Sequence, residues 1–199
     1  MDFCGFLAMG NQLKPETAAV IEQISAAGLR QCMITGDNVL TAIAVARECH
    51  EPQMWNASRP QYYVDFEGGG GGSALAGLVL HSAGGDDAAA APAAAIPTFE
   101  EVTSTQEGQQ WLNGVSLAVT GAAFSALYID HLAAFAGGTA WPRDGLPADA
   151  AAAAPLIRVM RRANVFARAK PKEKQAIITA LQGLGHVVCM VGDGANGEL

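Results

Sequence analysis

Apolar residues recur with a regular periodicity in three blocks of the chain, residues 1–56, 111–135 and 156–199, and lose that periodicity in the two intervals between them. The intervals, 57–110 and 136–155, contain runs of glycine, alanine and proline that predict flexible, low-complexity inserts. Setting both inserts aside leaves about 125 residues, which suits one compact domain but not two.

The first block predicts strand, helix, strand and helix. A short apolar run from Phe3 to Met9 indicates the first strand, and Pro15 suits the first turn of the helix that follows. The apolar run from Leu29 to Ile34 predicts a buried strand. Either Asp37 or Asn38 is placed to cap the next helix. The first helix has apolar residues on one face, namely Val20, Ile21 and Ile24.

The other two blocks repeat this alternation. Ser116 to Val119 predicts a strand before a helix, and Leu156 to Ala163 predicts a helix before the strand Asn164 to Ala167. A helix from Pro171 then leads to a predicted strand from His186 to Val191. Strands that alternate with helices indicate an α/β fold with a parallel sheet covered on both faces.

Composition excludes several classes of protein. The formal charge of −7 argues against a nucleic-acid-binding protein, which needs positive charge to neutralise phosphates. The alanine-rich tracts are interrupted too often for a transmembrane helix, and the acidic N-terminus is not typical of a signal peptide. The four cysteines form no CxxC pair, which favours reduced thiols in the cytosol.

Two loops that follow predicted strands are candidates for phosphate chemistry: Thr35-Gly36-Asp37 and Gly192-Asp193-Gly194. Glycine lets backbone amides approach a phosphate, and a threonine hydroxyl adds a donor. An aspartate there can hold Mg²⁺. Each loop taken alone is better explained as ordinary turn or helix-cap chemistry. Ligands of parallel α/β sheets bind at the carboxyl ends of the strands, so the two loops together favour a phosphate site.

A basic cluster supports the same interpretation. Seven of the twelve lysines and arginines lie between Arg158 and Lys174. Arg168 and Lys174 follow a predicted strand end, where a lysine could neutralise a phosphate. A solvated helix face is the alternative explanation of such a cluster. The four histidines share no ligand spacing, and no Walker-type sequence is present.

Four motifs resemble the phosphorylation domain of P-type ATPases: LKPET at Leu13 to Thr17, MITGDN at Met33 to Asn38, VFARAKPKEK at Val165 to Lys174 and MVGDGAN at Met190 to Asn196. The first block is most similar to the B branch of the type-V class, which is associated with polyamine and lysosomal cation transport. The resemblance implies a haloacid-dehalogenase-like fold with a Rossmann-like parallel sheet. It is expected over the patterned residues and not over the two inserts.

The resemblance also implies a role for each matching residue. Thr35 and the Gly36 amide would bind the transferred phosphoryl group, and Lys174 would neutralise the aspartyl phosphate. Asp193 would ligate Mg²⁺, and Asn196 would help to hold the phosphate. ATP is the implied substrate, with Asp37 on the nucleotide side near the hinge and Arg168 near the nucleotide. These roles consist of positioning and electrostatic stabilisation, as phosphoryl transfer requires.

The sequence departs from the family pattern in two places. It contains no Asp-Lys-Thr-Gly-Thr motif, which carries the family's nucleophilic aspartate, and Gly197 stands where the family has a second aspartate. The sheet is therefore expected to be incomplete and the chain inactive alone. The implied partners are the nucleotide-binding, actuator and transmembrane parts of a parent pump. The chain itself would be soluble at the cytosolic face of a membrane, with endolysosomal or vacuolar membranes as candidates.

Two other hypotheses remain open at this stage. The chain could be a stand-alone, non-catalytic protein that binds Mg²⁺ or phosphate or associates with an intact pump, because an incomplete sheet leaves edges that need a partner. A small soluble phosphatase of the same fold is the third hypothesis, and the lack of the nucleophilic aspartate argues against it.

Overall fold

A computed structural model describes Gly5 and residues 12–49, 54–68, 74–84, 96–135 and 154–192 of the chain. These residues form an α/β fold around a five-stranded sheet. Its strands in chain order are β1 (Met33–Ile34), β2 (Gln61–Phe66), β3 (Leu78–Ser82), β4 (Ser116–Thr120) and β5 (Ala163–Ala167).

The spatial order of the strands is β1-β5-β4-β2-β3. The first four strands in that order are mutually parallel, and β3 pairs antiparallel with β2. In the register of the central pair, Val119 lies opposite Phe166 and Thr120 opposite Ala167. The predicted α/β class with a parallel sheet is confirmed, and the arrangement is that of a Rossmann-like sheet.

Seven α-helices surround the sheet in the described part of the chain: α1 (Thr17–Ala26), α2 (Val39–Glu48), α3 (Phe99–Ser104), α4 (Gln106–Gly114), α5 (Gly121–Phe135), α6 (Pro155–Arg162) and α7 (Pro171–Gly183). A short 3-10 helix, Ala74–Gly77, precedes β3. None of these helices is long and apolar enough to cross a membrane.

Alternation along the strands explains why helices cover both faces of the sheet. On β5, Phe166 points into a core built with α3 to α7, whereas its neighbour Val165 packs with α2 on the other face. On β4, Val119 lies on the same face as Phe166, and Ala118 lies on the same face as Val165. Successive side chains of a strand point to opposite faces, so a strand buried on both sides reads as a continuous apolar run.

The predicted insert 57–110 contains regular structure, so its description as a flexible linker was wrong for much of its length. It holds β2, the 3-10 helix and β3, followed by α3 and most of α4. The sequence gives signals for these elements: β2 reads QYYVDF, rich in residues that favour strands. Thr98 and Glu101 form a capping box at the start of α3. Residues 85–95 and 136–153 lie outside the described residues.

The predicted strand from His186 to Val191 was also wrong, because these residues pair with no strand of the described sheet. A strand is stabilised by ladder hydrogen bonds to a neighbour, and the described residues give this segment none. Val187 and Val191 are exposed. The strand predicted from Phe3 to Met9 lies outside the described residues.

Helix α1 forms as predicted, but its apolar face is not buried as a whole. Val20 is 46% exposed and Ile24 is 36% exposed, whereas the polar Ser25 is buried. The Gln31 side chain donates to the Ile21 carbonyl oxygen at 2.9 Å and to Ser25 Oγ at 2.7 Å. The end of α1 is therefore attached to the β1 segment by polar contacts more than by apolar packing.

Candidate functional site

Backbone hydrogen bonds hold two of the predicted motif loops together at the carboxyl ends of β1 and β5. The Thr35 N–H donates to the Phe166 carbonyl oxygen at 2.9 Å, and the Ala169 N–H donates to the Thr35 carbonyl oxygen at 2.9 Å. The Arg168 N–H donates to the Asp37 carbonyl oxygen at 2.8 Å. The structure therefore brings Thr35, Asp37 and Arg168 together at one edge of the sheet.

Thr35 and Asp37 form a closed polar turn. The Thr35 hydroxyl donates to Asp37 Oδ2 at 2.8 Å, and the Asp37 N–H donates to Thr35 Oγ1 at 3.1 Å. Thr35 is half-buried, whereas Gly36 and Asp37 are exposed. Asn38 is the helix cap, since its side chain accepts from the Leu40 N–H at 2.9 Å. Because Asn38 performs the capping, the Asp37 carboxylate is not needed for the helix cap and accepts from the Thr35 hydroxyl instead.

Arg168 occupies an unusual backbone conformation at the end of β5. Its φ is +52°, in the left-handed region that residues with a β-carbon rarely adopt. Its side chain is exposed. Strained residues of this kind concentrate at functional sites, where the surrounding structure holds them in place. Here the backbone bond to Asp37 is one such constraint.

Lys174 lies in the first turn of α7 and is half-buried. Its backbone N–H donates to the Lys170 carbonyl oxygen at 2.9 Å. No described residue forms a hydrogen bond or an ion pair with its ammonium group. This includes Thr35 and Asp37, which bond to each other instead. The structure therefore brings the helix that carries Lys174 next to the Arg168 loop without joining the lysine side chain to the Thr35 turn.

Glu173 is a structural member of this region that sequence reasoning did not single out. Its carboxylate accepts from the Lys170 N–H at 2.7 Å and from the Ser125 hydroxyl at 3.1 Å. These contacts cap α7 and tie it to α5. A β-carbon on Gly121, the first residue of α5, would collide with the Glu173 carboxylate and lie 2.7 Å from the Arg168 carbonyl oxygen. A glutamate three residues after a helix start is the signal that could have found it.

A second polar pair lies at the carboxyl ends of β4 and β2. The Thr120 hydroxyl donates to Asp65 Oδ1 at 2.7 Å, and Thr120 is almost fully buried. The Phe66 N–H donates to the same carboxylate oxygen at 2.8 Å. Sequence reasoning missed Asp65 because it lies in the interval that was predicted to be a flexible insert.

The predicted Mg²⁺ ligand Asp193 and the phosphate ligand Asn196 lie outside the described residues, as does Gly197. Among the residues that the structure describes, no three or more His, Cys, Asp or Glu side chains are grouped so that they could hold a metal ion. Asp37 and Thr35 offer the oxygen atoms that Mg²⁺ and phosphate chemistry use, but they do not form a metal site by themselves.

An open cleft of about 490 Å³ lies beside β1, between Ile34 and the segment from His186 to Val191. Apolar residues of α7 also line it, Ile178 and Leu181 among them. Cys32 lies on its wall, where burial raises the pKa of the thiol and the Arg30 charge partly opposes that rise. The cleft lies along β1, the edge strand of the described sheet.

Comparison with known proteins gives relatives over nearly the whole chain. Polyamine-transporting ATPase 13A3 of Macaca fascicularis is 31% identical over 202 residues, which cover 98% of this chain and 14% of that protein. Polyamine-transporting ATPase 13A2 of Mus musculus is 31% identical over 196 residues, with the same coverage of both chains. The probable cation-transporting ATPase catp-6 of Caenorhabditis elegans is 29% identical over 220 residues, covering 98% and 16%. No family model matches the chain.

The similarity extends over almost the whole of this chain but over a small part of each relative. The match covers 98% of the chain, so it includes the intervals that were expected to lie outside the resemblance. This agrees with the regular structure found in residues 57–110. The chain spans only about one seventh of the length of the relatives, 14% of the two polyamine-transporting ATPases.

Proposed function

The chain belongs to the P-type ATPases by homology over 98% of its length, and we propose that it forms part of the phosphorylation domain of a membrane pump. The parent would couple ATP hydrolysis, through an aspartyl phosphate, to transport of cations or polyamines. The single observation that carries this proposal is the paired loop in which Thr35, Asp37 and Arg168 meet at the carboxyl edge of the sheet. In parallel α/β sheets that edge is where ligands bind.

The proposed division of labour follows the chemistry of the side chains. The Gly36 amide is a hydrogen-bond donor for a phosphoryl oxygen, as is the Thr35 hydroxyl once it turns away from Asp37 Oδ2, and the Lys174 ammonium group neutralises the phosphoryl charge. Asp37 and Arg168 face the nucleotide. Positioning and charge neutralisation of this kind are what the protein contributes to phosphoryl transfer.

Asp193 and Asn196 complete the proposed site. A carboxylate such as Asp193 is the ligand type that Mg²⁺ prefers, and Asn196 adds a neutral polar contact to the phosphate. Mg²⁺, when bound, would neutralise charge on the transferred group. The part of this proposal that concerns Mg²⁺ depends on Asp193, since the described residues offer no metal cluster of their own.

We expect the 199-residue chain alone to lack ATPase turnover, because it contains no Asp-Lys-Thr-Gly-Thr sequence to supply the nucleophile. The nucleotide-binding, actuator and transmembrane parts of the parent would act with it. The exposed apolar side chains beside β1, those of Leu29, Val187 and Val191, support contact with further protein. In this arrangement the chain lies at the cytosolic face of the parent's membrane.

Sequencing of full-length transcripts tests the proposal. An in-frame Asp-Lys-Thr-Gly-Thr motif upstream of Met1 in the same message is the expected result. A complete message that starts at Met1 and stops after Leu199 would instead favour a stand-alone protein that associates with a pump, and co-purification with an intact pump would then identify that role.

A biochemical experiment tests the site itself. Phosphate binding to the purified chain is followed by ³¹P NMR line broadening, and Thr35→Val is expected to weaken it. Thr179→Val is the matched control, because the Thr179 hydroxyl donates only within α7, to the Gln175 carbonyl oxygen at 3.0 Å. Equal binding by both variants, or ATP hydrolysis by the chain that Lys174→Gln abolishes, would contradict the proposal.

A further inference from the structure

A second cleft, of about 360 Å³, opens at the amino ends of the parallel strands. The Thr35 turn lies at their carboxyl ends, on the opposite side of the sheet. Ser116 and Asn164, at the starts of β4 and β5, are part of its wall. Four arginines also line this arginine cleft: Arg30, Arg59, Arg161 and Arg162. None of the described residues that line it is acidic.

Backbone carbonyl groups hold two of these guanidinium groups in place. Arg162 donates from Nε to the Leu112 carbonyl oxygen at 3.0 Å and from Nη2 to the Val115 carbonyl oxygen at 2.9 Å. Arg59 donates from Nη1 to the Asn113 carbonyl oxygen at 3.3 Å. Both arginines thus bind the carbonyl groups at the end of α4. Each guanidinium has five N–H donors, so both keep donors for another ligand.

The other two arginines differ in how they are held. Arg30 Nη2 donates to the carbonyl oxygens of Met160 and Ala163 at 2.9 and 2.7 Å, at the end of α6. Arg161 is exposed, and no described residue accepts a hydrogen bond from its side chain. Arg30 therefore has a structural role as well as its charge, whereas Arg161 contributes only its charge and its donors.

The charges of Arg30, Arg59 and Arg162 are close enough to act on one another, and no described carboxylate forms an ion pair with an arginine of the cleft. Burial, followed by the nearby Arg59 and Arg30 charges, lowers the pKa of Arg162. The ion pair found among the described residues, between His81 and Glu67, involves none of the four arginines. Neighbouring guanidinium charges repel one another, and a bound anion would relieve that repulsion. This positive cluster stands in a chain whose formal charge is −7.

We propose that the arginine cleft binds a compact anion with two or more phosphate groups, and that Arg59 and Arg161 contact it. A volume of about 360 Å³ is at the small end of ligand pockets, which favours a compact molecule. Four guanidinium charges balance about two phosphate groups, and the planar fork of arginine matches phosphate oxygens. The site is independent of the proposed phosphoryl site, because it lies at the other edge of the sheet.

Isothermal titration calorimetry of the full chain with inorganic pyrophosphate, without Mg²⁺, tests this proposal. The titrations use Lys174→Gln as the background, which removes the lysine proposed to bind phosphate at the opposite edge. Arg161→Gln is expected to weaken binding by about tenfold, and the double variant Arg59→Gln, Arg161→Gln more strongly. Arg161 makes no described side-chain hydrogen bond, so its replacement keeps the fold, which circular dichroism verifies.

Lys172→Gln is the matched control, because it also removes one exposed positive charge but lies on α7 at the opposite edge. It is expected to leave pyrophosphate binding unchanged. Binding that falls equally in Arg161→Gln and Lys172→Gln would overturn the proposal, because it would report net charge only. Undetectable binding of every phosphate ligand tested to the folded chain would also overturn it.

A second arm identifies the source of the phosphate groups. Flotation with phosphatidylcholine vesicles that contain a minor fraction of a phosphatidylinositol phosphate measures binding to a lipid headgroup. Pyrophosphate binding without flotation assigns the cleft to a free anion. Flotation that Arg161→Gln abolishes and Lys172→Gln preserves, without pyrophosphate binding, assigns it to a membrane lipid. Either result supports the shared phosphate chemistry.

Discussion

The backbone N–H of Arg168 donates to the carbonyl oxygen of Asp37 at 2.8 Å, and this bond joins two motifs that lie far apart in the sequence. The bond is possible because β1 and β5 are parallel neighbours whose carboxyl ends meet at one edge. Arg168 adopts a φ of +52° in this arrangement. The conformation costs energy for a residue with a β-carbon, so the close approach of the two loops is sustained by the surrounding fold.

Replacing Arg168 by glycine is therefore expected to be less destabilising than replacing it by alanine. Glycine adopts positive φ without steric cost, and the left-handed conformation costs other residues roughly 1–2 kcal/mol. Glycine also has the greater conformational entropy in the unfolded chain, which offsets part of this gain. We therefore expect the free energy of unfolding of the Arg168→Gly variant to be higher than that of the Arg168→Ala variant by about 1 kcal/mol. Urea denaturation measures both values.

The same pair of substitutions at Arg158 is the control, because Arg158 lies inside α6. Glycine costs about 1 kcal/mol relative to alanine in a helix interior, so the order of the two variants should reverse there. An alanine variant more stable than the glycine variant at both positions would contradict the strain assigned to Arg168.

Gly108 is the position where an added methyl group is expected to damage the packing of α3 against α4. A β-carbon there would lie 2.5 Å from the Val102 Cα and 2.7 Å from the Val102 carbonyl oxygen, both of them backbone atoms. Gly108→Ala is therefore expected to lower the free energy of unfolding by about 1–3 kcal/mol. Gly114→Ala, at the end of the same helix, meets no atom within 4 Å and should change it by less than about 1 kcal/mol. Equal effects in thermal or urea denaturation would contradict this packing.

His131 is expected to make stability fall in mildly acidic solution. It is buried in α5, and burial lowers its pKa below the usual 6.5, although Asp130 partly opposes the change. The unfolded chain therefore takes up this proton at a higher pH than the folded chain does. Protonation favours the unfolded state, so the free energy of unfolding should decrease as pH falls below about 6.5.

Urea denaturation at several pH values between about 7.5 and 5.5 measures this dependence, in a range where surface carboxylates remain charged. His131→Leu is expected to flatten the curve, whereas His81→Leu, which removes a partly exposed histidine 3.1 Å from the Glu67 carboxylate, serves as the control. A curve that is unchanged in His131→Leu would show that another group causes the dependence.

The order of elements in the motif-bearing blocks could be predicted from the sequence because local patterns specify them. Leu117 to Val119 form an apolar run inside β4, and the structure buries every residue of that strand between two helical layers. Pro171 begins α7 as predicted, since proline suits a first helical turn. The carboxyl-end rule likewise placed the Thr35 loop and Arg168 after predicted strands, and the contact between their loops requires only that the two strands be parallel neighbours.

Other features depended on partners that a single sequence does not reveal. The apolar run from His186 to Val191 has strand-like composition, but no described strand supplies its ladder. Asp65 was missed because the glycine-rich residues nearby obscured β2. The partner of that strand is β4, which is distant in the sequence, so the pairing could not be predicted locally. The arginine cleft was also missed, because its members come from four separate segments and share no motif.

Glu173 is expected to fix the start of α7, the helix that carries Lys174. Its carboxylate accepts from the Lys170 N–H at 2.7 Å, so Glu173→Ala leaves that amide without its partner. The loss of such a cap costs about 1 kcal/mol. We expect faster hydrogen exchange at the Lys170 amide and a lower free energy of unfolding in Glu173→Ala.

Two comparisons separate this capping role from a general effect of charge. Glu107→Ala removes an exposed glutamate from the first turn of α4, and it should leave Lys170 exchange unchanged. Ser125→Ala removes only the 3.1 Å bond between α5 and Glu173, so its effect should be smaller than that of Glu173→Ala. Because the cap orients the first turn of α7, Glu173→Ala should also weaken phosphate binding that depends on Lys174. Faster exchange at Lys170 with unchanged phosphate binding would separate the cap from the proposed site.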